Sequence, residues 1–155
     1  MHRATYRSDP AIVELLLQAG ADLTIKNASG QTPLHKFASD IDGFCCGRYT
    51  PDGEQVDHRM QVLNMLIDAG ADVNTVDIRN RTCLHALADC SRRYAQKPRR
   101  AEAAKLLLAA GVALEAVDSD GRTALELFSN LKDQAMVKLL SSYCKYTAKN
   151  RYASL

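Results

Sequence analysis

No apolar run in the 155 residues approaches the roughly 18 needed to cross a bilayer, which excludes a transmembrane helix. The opening stretch, MHRATYRSDP, lacks a hydrophobic signal core and argues against secretion. Neither charge sign dominates: 20 Lys and Arg face 18 Asp and Glu, for a net charge of +2. That balance fits neither an acidic tail protein nor a strongly basic nucleic-acid binder. The five cysteines are odd in number and have no framework spacing, as expected for a reducing compartment, cytoplasm or nucleus. Phosphate-binding loops, nucleophile elbows and paired carboxylates are missing too, so neither catalysis nor a cofactor is expected. What remains is 46% apolar and 25% charged, ordinary for one compact domain with its own core.

The chain does contain a repeat disguised by unequal spacing. TPLHKFA starts at Thr32, TCLHALA at Thr82 and TALELFS at Thr123, with His35, His85 and then Glu126 in one slot. A second string recurs ahead of these: ELLLQAGADLT, NMLIDAGADVN and KLLLAAGVALE. Each reads as a leucine-rich helix stopped by Gly20, Gly70 or Gly111, where left-handed φ ends a helix. Short polar turns follow, with Gly30, Asn80 and Gly121 at the position that calls for positive φ. Then comes a threonine suited to capping a helix N-terminus, with Pro33 at the first helical position in one copy. A catalytic residue is usually unique in a chain, so a histidine recurring in one slot reads as structural.

GQTPLH and AGADVNTVD resemble the ankyrin-repeat family almost letter for letter. The resemblance implies an all-α solenoid of about four helix-turn-helix repeats that stack to share one core. Their bounds are about 1–29, 30–79, 80–120 and 121–146, with a basic, frayed tail over 147–155. Against a family period of about 33 residues, the second copy carries about 17 extra residues and the third about 8, both between the paired helices. Counting back from Gly20 puts His2 in the histidine slot and Met1 in the leucine slot. The first repeat therefore opens inside its first helix, and the chain is expected to be an excerpt or a shortened product. Leu15 to Leu17, Leu63 with Leu66 and Ile67, Leu106 to Leu108, and Leu139 with Leu140 are the expected inter-repeat layer. The family also implies that His2, His35 and His85 bond neighbouring backbone and tie each repeat to the next.

Other chemistry is weighed and set aside. Cys45, Cys46 and His58 in the 41–59 insert offer three soft ligands, but adjacent cysteines reach one zinc ion poorly. A surface excursion anchored by Phe44 or Tyr49 is the simpler reading, and no metal is expected. Excising 41–59 is expected to leave folding intact. Cys83 and Cys90 lie about 10 Å apart along a helix axis, too far for a disulfide, and are read as buried. SRRYAQKPRRAEAAK, residues 91–105, reads as a solvated basic loop, with an acidic partner, nucleic acid or an import signal as alternatives.

The resemblance implies protein binding without catalysis, through hairpin tips and the concave face of the first helices. Matching positions at the tips are Lys26, Ser29, Gln31, Thr75, Ile78, Arg79, Arg81, Ser119, Asp120 and Arg122. On the first helices they are Lys36, Phe37, Asp40, Leu87, Asp89 and Leu127. Ile78 with Arg79 and Arg81 is the expected hot spot. Alternatives are a recruitment segment of a larger kinase, ubiquitin ligase or acyltransferase, and a standalone inhibitor of a transcription factor. The expected partner is another protein in preference to nucleic acid, with no membrane, and weak self-association through the N-terminal edge is conceivable. Leu66 and Asn74 also match an asparaginyl-hydroxylation pattern known in such arrays. Lys132, Asp133, Gln134, Lys138, Ser141 and Ser142 are expected to make a wet outer face on the last repeat. Residues 1–29 are accordingly expected to fray first.

Overall fold

A computed structural model describes residues 1–7, 9–41, 58–90 and 98–152; for residues 6, 7, 89, 90, 98 and 146–152 it gives the backbone alone. Eight helices occur among these residues. They are α1 (His2–Arg7), α2 (Pro10–Gln18), α3 (Pro33–Ser39), α4 (Arg59–Asp68), α5 (Cys83–Cys90), α6 (Pro98–Ala109), α7 (Ala124–Asn130) and α8 (Gln134–Tyr152). The odd-numbered helices stack on one another as one layer and the even-numbered ones as a second. No described helix is long and apolar enough to cross a membrane. The result is the helix-pair solenoid that the punctuation predicted.

Local chemistry sets the helix starts. Thr32 and Thr123 hold extended backbone and cap α3 and α7, each accepting the N–H three residues on. Proline occupies the opening turn of α2 and α3, where its missing N–H costs nothing. The first two long helices end two residues before Gly20 and Gly70, whose φ values of 73° and 83° favour glycine. Cys144 stands in that slot of α8, and without a glycine stop the helix runs on to Tyr152. The tail expected to fray from residue 147 is therefore helical for most of its length.

The core lies between the layers and runs from Val13 through Leu34, Leu63, Leu66, Leu84, Leu107 and Phe128 to Leu140. The expected inter-repeat layer holds for Leu63, Leu66, Leu107, Leu108 and Leu140, all buried, while Ile67, Leu106 and Leu139 are half-buried. It fails at Leu15, which is 66% exposed. Val13 points inward instead, and a residue two positions on sits about 200° around the helix.

Two arginines read as polar turn out to be core. Arg59 opens α4 and is 3% exposed; its Nη1 donates to the carbonyls of Asp40 and Ile41, the latter at 2.8 Å. Arg100, placed by sequence in a solvated loop, is fully buried, and its guanidinium meets Asp133 of the α7–α8 turn at 3.1 Å. Asp133, expected on the wet outer face, is 2% exposed and also accepts the Met136 N–H at the start of α8. Both arginines lie 11 residues before the glycine stop, at Gly70 and Gly111. The insert boundary moves as well, because Ile41 is fully buried and Arg59 closes over it. Residues 42–57, with Cys45, Cys46, Phe44 and Tyr49, lie outside the described residues, as do residues 91–97. Cys83 is buried, and its S–H donates to the Val73 carbonyl at 3.1 Å. Burial pushes that thiol up to about 12, which makes it a packing residue with no thiolate to react.

Replacing residues 42–57 with a short turn should shift the melting temperature by no more than about a few degrees, because loop length carries little entropy. Ile41→Ala should by contrast cost about 2–5 kcal/mol by leaving a cavity. Equal losses from both changes in thermal melts would show that the insert supplies core. Asp133→Ala should cost about 3–5 kcal/mol by stranding the buried Arg100 charge. A urea midpoint close to that of the unaltered chain would contradict this.

Candidate docking surface

Three reverse turns join the helix pairs: Asn27–Gln31, Asp77–Arg81 and Asp118–Arg122. In each, the first amide donates to the last carbonyl, at 2.9, 3.0 and 2.9 Å. The first side chain then clamps the turn from within. Asp77 Oδ1 accepts the N–H groups of Arg79 and Arg81 at 2.8 and 3.1 Å, and Asp118 Oδ1 those of Asp120 and Arg122 at 2.9 Å each. The second carboxylate oxygen takes a guanidinium fork, from Arg81 at 3.0 and 2.8 Å and from Arg122 at 3.2 and 2.9 Å. Asn27 and Gln31 build the neutral version: Asn27 Oδ1 accepts from Ser29 and Gln31, and its Nδ2 reaches Gln31 Oε1 at 3.4 Å. Burial alone would raise the Asp77 and Asp118 carboxyls. The bonds from their arginines and backbone N–H groups outweigh it and hold both below the usual range.

The turns stack tip on tip. Ile78 N–H donates to the Ser29 carbonyl at 3.3 Å, while Ser119 donates to the Arg79 carbonyl from both its N–H (2.8 Å) and its Oγ (3.1 Å). Lys26 Nζ reaches the Val76 carbonyl at 2.7 Å. Gly30, at φ 69°, is required by close approach: a Cβ there would lie 2.8 Å from both Ile78 Cγ2 and Ile78 N. Asn74 adds a stitch at the base. Its Oδ1 accepts the Ala113 N–H at 2.7 Å and its Nδ2 donates to the Gly111 carbonyl at 3.2 Å. Thr24, in the equivalent slot, bonds Asp22 within its own turn.

The recurring histidines hold this ladder to the helices. Nε2 of His2, His35 and His85 meets the carbonyl of Gln31, Arg81 and Arg122 at 2.8, 2.9 and 3.2 Å. Each acceptor is the last residue of the following turn. A carbonyl only accepts, so Nε2 carries the proton. Nδ1 is then the acceptor for the Thr32 and Thr82 hydroxyls, both at 2.9 Å. Glu126 departs from the pattern and forms a capping box with Thr123, whose N–H and hydroxyl reach Glu126 Oε2 at 2.7 and 3.1 Å. The terminal repeat has solved the slot locally.

The sequence-derived surface divides into three groups. Lys26, Ser29, Ile78, Arg79, Ser119 and Asp120 are exposed along the tips, and Lys36, Asp40 and Leu127 are half-buried on the first helices. Lys36 and Asp40 form an ion pair at 2.5 Å. Gln31, Thr75, Arg81 and Arg122 are spent on the framework: Thr75 Oγ bonds the Asp72 carbonyl, and the Arg81 side chain is only 13% exposed. Arg122 also reaches Asp120 at the tip. Phe37 and Leu87, expected on the docking face, are instead buried between helices, because that face of α3 and α5 meets the neighbouring repeat. The Asp89 side chain lies outside the described residues. Sequence reading missed the turn clamps, although the recurrence of Asp-x-x-x-Arg at 77–81 and 118–122 marks them.

Burial lowers both His35 and His85, which stay neutral when folded. The unfolded histidines take up protons below about 6.5 and the folded ones only at lower pH, so stability should be full above 6.5 and fall as pH drops below it. Urea midpoints should therefore be lower at pH 5.5 than at pH 7.5, with further loss from Asp77 and Asp118 only in the carboxylate range. His35→Asn with His85→Asn should flatten the first step; a flat wild-type profile between these pH values would refute the assignment.

Comparison with known proteins agrees with this geometry. The family model for the ankyrin repeat matches residues 1–28 and 29–78, about half the chain. Ankyrin repeat and SOCS box protein 6 from Pongo abelii and from Homo sapiens is 32% identical over 124 residues, covering 79% of this chain and 25% of theirs. The Mus musculus protein of that name is 34% identical over 89 residues, 57% of this chain and 18% of its own. The chain thus spans about a quarter of the length of the curated relatives it matches. Two stacked family matches and one histidine bond repeated in three successive helix pairs lead to one assignment: the chain belongs to the ankyrin-repeat family.

Proposed function

We propose that the chain is a scaffold that binds another protein through its turn tips, centred on Ile78 and Arg79, and performs no catalysis of its own. One observation carries this reading. Ile78 is 71% exposed, more than any other large apolar residue described. It is also held in place, its N–H bonded to Ser29 and its side chain resting on Gly30. A rigid apolar knob beside an exposed arginine loses little entropy on binding, as interface anchors require. Ser29, Ser119 and Asp120 supply a polar rim. The sequence's third anchor, Arg81, belongs to the framework and is left out. Cys83, a buried thiol, and the odd cysteine count support a reducing compartment, cytoplasm or nucleus.

A second reading, recruitment on behalf of a larger assembly such as a ubiquitin ligase, is favoured by one fact. The relatives join ankyrin repeats to a further module, a SOCS box, and this chain spans a quarter of their length.

Ile78→Asp and Arg79→Glu should each weaken partner capture about tenfold or more, as loss of a hot spot does. Neither should move the melting temperature by more than about a degree, since both side chains are exposed. Glu102→Lys, on the opposite layer, should leave capture unchanged. Equal capture by all three variants in quantitative affinity mass spectrometry would remove the turn tips as the binding surface.

A further inference from the structure

One helix breaks the punctuation that governs the others. α2, α4 and α6 end at Gln18, Asp68 and Ala109, each two residues short of a glycine. α8 carries Cys144 in that slot and continues about two turns further, to Tyr152. It holds Lys138, Lys145, Lys149 and Arg151 and no acidic residue. At about 100° per residue the three lysines fall within about 20° of one line, about 10.5 and 6 Å apart along the axis. Lys138 and Lys145 are exposed there, and the backbone register brings Lys149 to the same line. Met136 and Leu140, both in the core, sit about 160° around the helix from it. The repeat supplies a control for this placement. Counted back from positions 20, 70, 111 and 144, Glu14, Asn64, Lys105 and Lys138 share one slot, and all four are exposed. The slot therefore faces outward in inner and outer repeats alike, but its charge changes sign along the stack. Lys105, on the adjoining α6, widens the lysine line onto a second helix. Glu102 is the one acid of α6, and Glu115 acts on Cys144, a position about 120° around α8 from the lysines.

We infer that the outward face of α8, with Lys105 beside it, is a docking surface for an acidic helix of a partner protein, laid along the lysine line. Charge complementarity and spacing select that occupant. Seven and four residues are also the intervals at which carboxylates line one face of an α-helix, so such a helix meets the lysines along the whole line. An extended peptide presents same-face side chains about 6.6 Å apart, which matches only the shorter interval. The cations on the line are lysines. They are single point charges suited to separate carboxylates, whereas phosphate recognition favours the arginine fork. Ala135 and Ser142, exposed and small, flank the line and let an opposing helix approach closely.

The probe is an alanine-rich helical peptide of about 22 residues with glutamates seven and four residues apart on one face. A second peptide of the same composition scatters them around the helix. Fluorescence anisotropy with the full chain at low salt should show the aligned peptide binding at least about fivefold more tightly. Lys138→Glu with Lys145→Glu should abolish that preference without moving the melting temperature, because both side chains are exposed. A peptide with aligned lysines should then bind the double variant, as reversed complementarity requires. Ile78→Asp should leave the affinity unchanged, which separates this surface from the turn tips. Equal binding of aligned and scattered peptides, or aligned binding that survives the lysine changes, would overturn the inference. So would tighter binding of a DNA duplex of equal charge that is lost with the same lysines, which would assign the line to nucleic acid.

Discussion

One hydrogen bond organises the molecule: in the first three repeats the histidine Nε2–H donates to the carbonyl that closes the next turn. It joins three otherwise independent features, because the same imidazole accepts the threonine hydroxyl that caps its own helix. The helix start, the helix-to-turn spacing and the inter-repeat register are therefore set together. The bond is part-buried, so losing it should cost about 1 kcal/mol. Acceptance of the threonine hydroxyl at Nδ1 requires a neutral ring, which burial favours. Where Glu126 replaces the histidine, the carboxylate turns back on Thr123 and satisfies the helix start locally.

The turns then convert this register into a surface. A carboxylate or amide oxygen inside each turn accepts two backbone N–H groups, and in two turns an arginine fork closes the other side. Exposed loops of such length ordinarily lose entropy when they bind. Here that loss is taken during folding, since the tips are cross-bonded before any partner arrives. The cost falls on charge. Arg81 and Arg122 read as available cations in the sequence, yet each neutralises an aspartate of its own turn. Arg79 carries no such clamp and keeps its exposure.

The opposite edge follows another rule. Arg59 and Arg100 occupy one slot at the start of the second helices and are buried as charges, an arrangement tolerated only when each guanidinium has a polar partner. Arg59 binds carbonyls at the end of the preceding helix, and Arg100 binds Asp133 in the next repeat. In both repeats the extra residues enter the chain just before this arginine. Pinning the exit of an insert to the stack lets its length vary while the helices keep their phase.

Much of this was written locally. Positive φ at Gly20 and Gly70, threonine caps, and proline in a first turn are demands that a few adjacent residues meet alone. Their recurrence therefore determined the repeat, the helix pairing and the structural role of His35 and His85. Even the terminal exception was visible, as glutamate three residues after Thr123. Facing and burial were another matter. Leu15 and Leu66 look alike in their leucine-rich strings, and so do Phe37 and Leu127 as candidates for a docking face. Arg100 looks like its neighbours in a basic run. What separates them is whether another helix, or an aspartate 33 positions away, lies over the side chain. That depends on the assembled stack, because burial is a property of neighbours and a helix face has none until the repeats meet.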